Sequence, residues 1–102
     1  MGVFYNMVID YIAEKELQDG SKLLLKTWES DIIDPCRRVY QLVLRDGSLT
    51  VQFPTEFEKF TEAQVRKMYD MVEFRSDLMG LMDKYYTQGE EFIDSLLEGK
   101  NI

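Results

Sequence analysis

The chain has no histidine, a single cysteine, two prolines and no long apolar run. Without histidine there is no Ser-His-Asp or Cys-His nucleophilic site, no histidine metal ligand and no imidazole acid–base chemistry. The lone Cys36 cannot close an internal disulfide, so a reducing, cytoplasmic setting is expected. No apolar stretch approaches the roughly 18 residues that read as a membrane-spanning helix. The opening residues MGVFYNMVIDYIAEKEL lack the basic segment and small-residue cleavage site of a secretory signal. Asn6 stands where a myristoylation pattern after Gly2 requires Ser or Thr. CxxC, GxxxxGK[ST] and GxGxxG are all missing, and with them the usual redox, P-loop and dinucleotide signatures.

Positive charge is also scarce. Twelve Lys and Arg face 19 Asp and Glu, for a net charge of −7. That balance disfavours direct binding of nucleic acid, whose phosphates must be neutralised by basic side chains. It disfavours an anionic membrane surface for the same reason.

What is present is enough apolar surface for a core. The 102 residues are 45% hydrophobic and 13% aromatic, which suits one domain over 1–102. There is no internal repeat and no low-complexity segment. Residues 1–53 form a mixed, sheet-forming half with net charge −2, and residues 54–102 an acidic helical half with net charge −5.

The clearest local signal is a β-hairpin over 38–53. Asp46-Gly47 suits a two-residue turn, because the type I′ turn needs positive φ at both central positions. With that turn, Arg45 faces Ser48, Leu44 faces Leu49, Leu42 faces Val51 and Tyr40 faces Phe53. Side chains alternate across a strand, so Tyr40, Leu42, Leu44, Leu49, Val51 and Phe53 share an apolar face. Gln41, Val43, Arg45, Ser48, Thr50 and Gln52 share the other, with Gln41 and Thr50 expected to be exposed. A hairpin is marginal alone, so other elements must cover the apolar side.

Upstream, Phe4, Met7, Val8, Tyr11 and Ile12 fall at helical spacing, and Ala13–Leu17 are good helix formers with Gly20 as a stop. A helix over 3–18 is therefore expected. The competing pattern is alternation of Val3, Tyr5, Met7, Ile9 and Tyr11, which would make a strand and turn Asp19-Gly20 into a hairpin connection. Lys22–Trp28 is expected as a strand, Glu29–Arg37 as a loop turning at Asp34-Pro35, and the strands 22–28, 38–45 and 48–53 as an antiparallel meander.

Past Pro54 the pattern is helical. Thr61 and Gln64 form a capping box, with Phe60 and Val65 placed for a hydrophobic staple. Two apolar stripes follow: Val65, Met68, Val72, Met79, Met82, Tyr86, and Met71, Phe74, Leu78, Leu81, Tyr85. They predict either one helix over 62–86 or two broken near Arg75-Ser76. Gly80 weakens that helix by about 1 kcal/mol relative to Ala. Thr87 and Glu90 suggest a second capping box, before a short helix carrying Phe92, Ile93, Leu96 and Leu97 and stopping at Gly99.

Few residues invite chemistry. Arg37 and Arg38 beside Cys36 could lower its pKa, but an inert thiol near a turn explains it equally. Asp70, Glu73 and Asp77 fall at i, i+3 and i+7, and on one helix they could hold Mg²⁺ or act as an acid–base pair. A solvated face explains them as simply. Met68, Met71, Met79 and Met82 serve either as core filling or as an adaptable contact surface.

These features set the expectation of an α+β fold: a small antiparallel sheet, including the 38–53 hairpin, packed on C-terminal helices. No catalytic residue, metal site or cofactor is expected. The functional expectation is a non-enzymatic protein-interaction module, most concretely an inhibitor that offers acidic helices to the basic, nucleic-acid-binding surface of a larger protein. Small virus-encoded anti-defence proteins are of this general type. Asp70, Glu73, Asp77, Glu90, Glu91 and Asp94 would supply charge, and Met82 and Phe92 apolar anchors. On one helix, Asp70, Glu73 and Asp77 would rise in steps of about 4.5 and 6 Å, near the spacing of phosphates along a strand. The alternatives are a homo-oligomeric assembly factor, as a dimer through the Met-rich helix, and a carboxylate-dependent enzyme or small-ligand protein.

Overall fold

The computed structural model describes residues 9–30 and 37–97. The expectations for residues 3–8, for the Asp34-Pro35 turn and Cys36, and for Gly99 lie outside them. Four strands, β1 (Asp10–Glu16), β2 (Lys22–Ser30), β3 (Arg37–Asp46) and β4 (Leu49–Phe53), form one antiparallel meander in chain order. A 3₁₀ turn (Phe57–Lys59) leads to three helices, α1 (Glu62–Met71), α2 (Arg75–Gln88) and α3 (Glu90–Ser95). The fold is α+β, as its patterning indicates.

The 38–53 hairpin is present with a different turn. Asp46 pairs with Leu49, Leu44 with Val51 and Leu42 with Phe53, so Gly47 and Ser48 make the connection. Gly47 sits at φ +62°, at the first central position, where both common hairpin turns require positive φ. Asp46 is thereby kept in β3, and its carboxylate pairs with Arg75 at the start of α2. The shift is two residues along β4. A shift of two preserves which side chains share a face, so Leu42, Leu44, Val51 and Phe53 still point to the core. Leu42, Leu44 and Phe53 are fully buried, while Leu49, now beside the turn, is exposed.

The helix expected over 3–18 is corrected: its described part is strand β1. Ala13 and Lys15 turn towards the core side, opposite Leu25 and Leu23, while Glu14 and Glu16 turn outward. A bulge between Tyr11 and Ala13 inserts Ile12. Bulges break strict alternation, which is why Tyr11 and Ile12, adjacent in sequence, mimic part of a helical stripe. Asp19-Gly20 becomes the β1–β2 turn, with Gly20 at φ +88°. The Ser21 hydroxyl and amide both donate to Asp19 Oδ1 there.

β2 and β3 are buried on both faces. Leu23, Leu25, Leu42 and Leu44 meet the helices. Leu24, Val39, Val43 and Trp28 are buried on the opposite side. Gln41 also lies there at 4% exposure, against the expectation that it faces water. Its Nε2 donates to the Pro54 carbonyl at 2.6 Å, because the chain after β4 folds back over this face. Phe57 of the 3₁₀ turn then meets Trp28 edge-on, with ring centroids 4.8 Å apart. Thr50 is exposed as expected.

The α1 capping box forms as read: Gln64 N donates to Thr61 Oγ1 at 3.3 Å, and Thr61 N to Gln64 Oε1 at 2.9 Å. Phe60 and Val65, the staple pair, are both buried. The helical run breaks into two over Val72–Phe74, just before Arg75-Ser76. Val72 and Phe74 are extended at φ/ψ of −87/119° and −129/155°. This break changes the phase of burial. α1 buries Val65 and Met68 from the first stripe, with Val72 following, whereas α2 buries Leu78, Leu81 and Tyr85 from the second. Met71, Phe74, Met79 and Tyr86 are left exposed. The second capping box does not form: Thr87 is inside α2 and its hydroxyl donates back to the carbonyls of Asp83 and Lys84. Gly89, at φ +63°, separates α2 from α3.

Candidate functional site: the acidic helical end

Asp70, Glu73 and Asp77 do not climb one helix. Asp70 lies in the last turn of α1, Glu73 in the link between the helices and Asp77 in the first turn of α2. The phosphate-like ladder expected of them is corrected accordingly. Asp77 is also occupied: its Oδ2 accepts from the amides of Glu73 and Phe74, both at 2.9 Å. These bonds hold its carboxyl below the usual range. A carboxylate at a helix N-terminus satisfies orphan amides and complements the helix dipole. Asp77 is therefore a capping group.

Asp19 does related work from the β1–β2 turn. Its Oδ2 accepts from the Arg75 amide at 2.6 Å, while Oδ1 holds Ser21. The Ser21 hydroxyl, followed by the amides of Arg75 and Ser21, brings its pKa down to about 2. The Gln18 amide donates to the Glu73 carbonyl at 2.9 Å, so the turn is sewn to the α1–α2 link.

The α3 residues are placed differently. Glu90, Glu91 and Asp94 are exposed, and their carboxylates have no ion pair or hydrogen bond with the described residues. Phe92 and Ile93, between them, point into the core. Phe92 is 3% exposed, so the anchor role expected of it is corrected: it is a core residue. Met82 is half-buried and packs on the same core.

Sequence patterning missed Tyr86, which is 62% exposed. Its ring lies 5.8 Å from that of Tyr85, tilted by 50°. The Tyr85 hydroxyl donates to Glu56. Burial first, then Glu56 and more weakly Glu90, push the Tyr85 hydroxyl up to about 12. Glu56 in turn is held below the usual carboxylate range by that hydroxyl and by Lys59. Tyr86, Glu56 and Glu90 thus all neighbour Tyr85. The stripe that contained Tyr86 looked apolar throughout, and only the phase change at 72–74 turns it outward.

Four basic groups lie together elsewhere. Strand register puts Lys22, Lys26, Arg37 and Arg45 on the outer face of the sheet, with Glu14 and Glu16. Among the described residues, no group of three or more His, Cys, Asp or Glu is arranged to hold a metal ion. No helix among them is long and apolar enough to cross a membrane. Comparison with protein-family models, curated proteins and solved structures finds no match.

Proposed function

We propose that the protein is a small non-enzymatic interaction module that inhibits or regulates a larger protein by occupying its basic surface. A surface evolved to hold nucleic acid is the most concrete form of that partner. One observation carries this reading: Glu90, Glu91 and Asp94 stand exposed on α3 with no partner among the described residues, and Tyr86 on the preceding helix is exposed as well. Carboxylates of this kind speed encounter and set orientation with a basic partner. Individually, exposed pairs contribute little, so an anchor is needed. An exposed tyrosine ring with carboxylates beside it can take an arginine or lysine by cation–π contact together with an ion pair.

The test is a comparison of wild type with a Glu90→Lys, Glu91→Lys, Asp94→Lys variant. These residues are on the surface and hold no other group among the described residues, so the fold should survive, as circular dichroism would verify. Binding to a basic partner should fall with salt in the wild type and be largely lost in the variant. Binding that ignores both changes would defeat the proposal. Asp77 is unsuited to such a reversal, because a lysine there would remove the α2 cap.

A second reading has its own observation. Met79 and Tyr86 are both exposed and seven residues apart on α2, hence on one face. They could form the seam of a homodimer. Light scattering after size exclusion that shows only monomer at high micromolar concentration would remove it.

A further inference from the structure

A second site of opposite charge lies between the helices. Lys67 and Met71 of α1, Lys84 and Gln88 of α2, Phe92 and Ser95 of α3, and Leu96 just after it line one open cleft of ≈ 210 Å³. Each helix contributes residues spaced by three or four, so each presents one face to it. Phe92 and Leu96 close it off from the core side with 3% and 6% of their surface exposed, and Met71, 43% exposed, is its flexible apolar wall. Of the eleven described Lys and Arg, nine have an ion pair, hydrogen bond or aromatic partner among the described residues. The other two are Lys67 and Lys84, and both line this cleft. In a chain with an excess of acid, two cations with no partner among the described residues, on two helices that line one cleft, favour an anionic occupant. The volume favours a side chain over a whole small molecule, whose sites usually span about 300–1,000 Å³.

We infer that this cleft docks a short acidic segment of a partner protein, an apolar side chain resting against Met71 with neighbouring carboxylates on Lys67 and Lys84. The inference does not rest on the α3 carboxylates and stands or falls separately from them. It is tested on the full chain with three synthetic peptides: one alternating Leu and Glu, one alternating Leu and Lys, and one alternating Ser and Glu. NMR follows the Met71 methyl and the amides of Lys67 and Lys84. The Leu-Glu peptide should move these signals and bind best. A Lys67→Glu, Lys84→Glu variant, altered only at exposed tips, should keep the wild-type spectrum elsewhere and bind about ten-fold more weakly or less. No movement of Met71 with any peptide overturns the inference, as does equal binding of the three or unchanged affinity in the variant. If the Met71 signal moves with protein concentration alone, the occupant is a second copy and the partner segment is refuted.

Discussion

Leu42 lies at the centre of the sheet, paired with Leu25 on one side and Phe53 on the other, with no exposed surface. Leu42→Ala should therefore cost about 2–5 kcal/mol, the range for emptying a fully packed leucine site. Urea denaturation measures it, and a loss below about 1 kcal/mol would mean that the core is elsewhere. Asp19 governs a different property. Its folded-state pKa of about 2 lies below the ordinary 3.8 that it recovers on unfolding. Its contribution is thus complete above about 3.8 and is lost as pH falls towards about 2. Between those values the urea midpoint of the wild type should drop more steeply than that of Asp19→Asn. Parallel profiles would show that the Ser21 and Arg75 bonds do not couple to folding.

At the scale of elements, some local signals carry through to the fold and others, such as the Asp46-Gly47 turn and the Thr87-Glu90 capping box, do not. Thr61 and Gln64 announce the start of α1 because a capping box is complete within four residues. Leu42 and Leu44 announce their face because alternation is complete within one strand. β1 was missed because Ala13–Leu17 suits a helix by composition, and only pairing with Leu23–Leu25 of β2 overrides that preference. The break at Val72–Phe74 has no Pro or Gly to mark it, and the one glycine in the run, Gly80, lies inside α2. It is specified from a distance, by Asp19 and Gln18 reaching in from the β1–β2 turn. The break decides which methionines matter for stability. Met68→Ala, at a site with no exposure, should cost about 2–5 kcal/mol. Met79→Ala, on the exposed side of α2, should change stability by no more than about 0.5 kcal/mol. Equal costs would contradict the phase change.

At the scale of the whole molecule, three carboxylates with no partner among the described residues stand together on α3, and four basic side chains lie across the outer sheet face. The excess of acid in the second half was visible in the composition, and Glu90, Glu91 and Asp94 were identified from it. Their separation from Asp70, Glu73 and Asp77 was not visible, because that depends on where the helices break. Nor was the exposure of Tyr86, which follows from the same break. The central claim is that the α3 end holds a basic partner. The most direct measurement is capture from cell lysate by the wild type and by the Glu90→Lys, Glu91→Lys, Asp94→Lys variant, at about 50 mM and about 500 mM salt, with bound proteins identified by mass spectrometry. The account predicts a protein with a basic surface retained by the wild type at low salt, released at high salt and absent from the variant. The same bound proteins on both baits at both salt concentrations would contradict it.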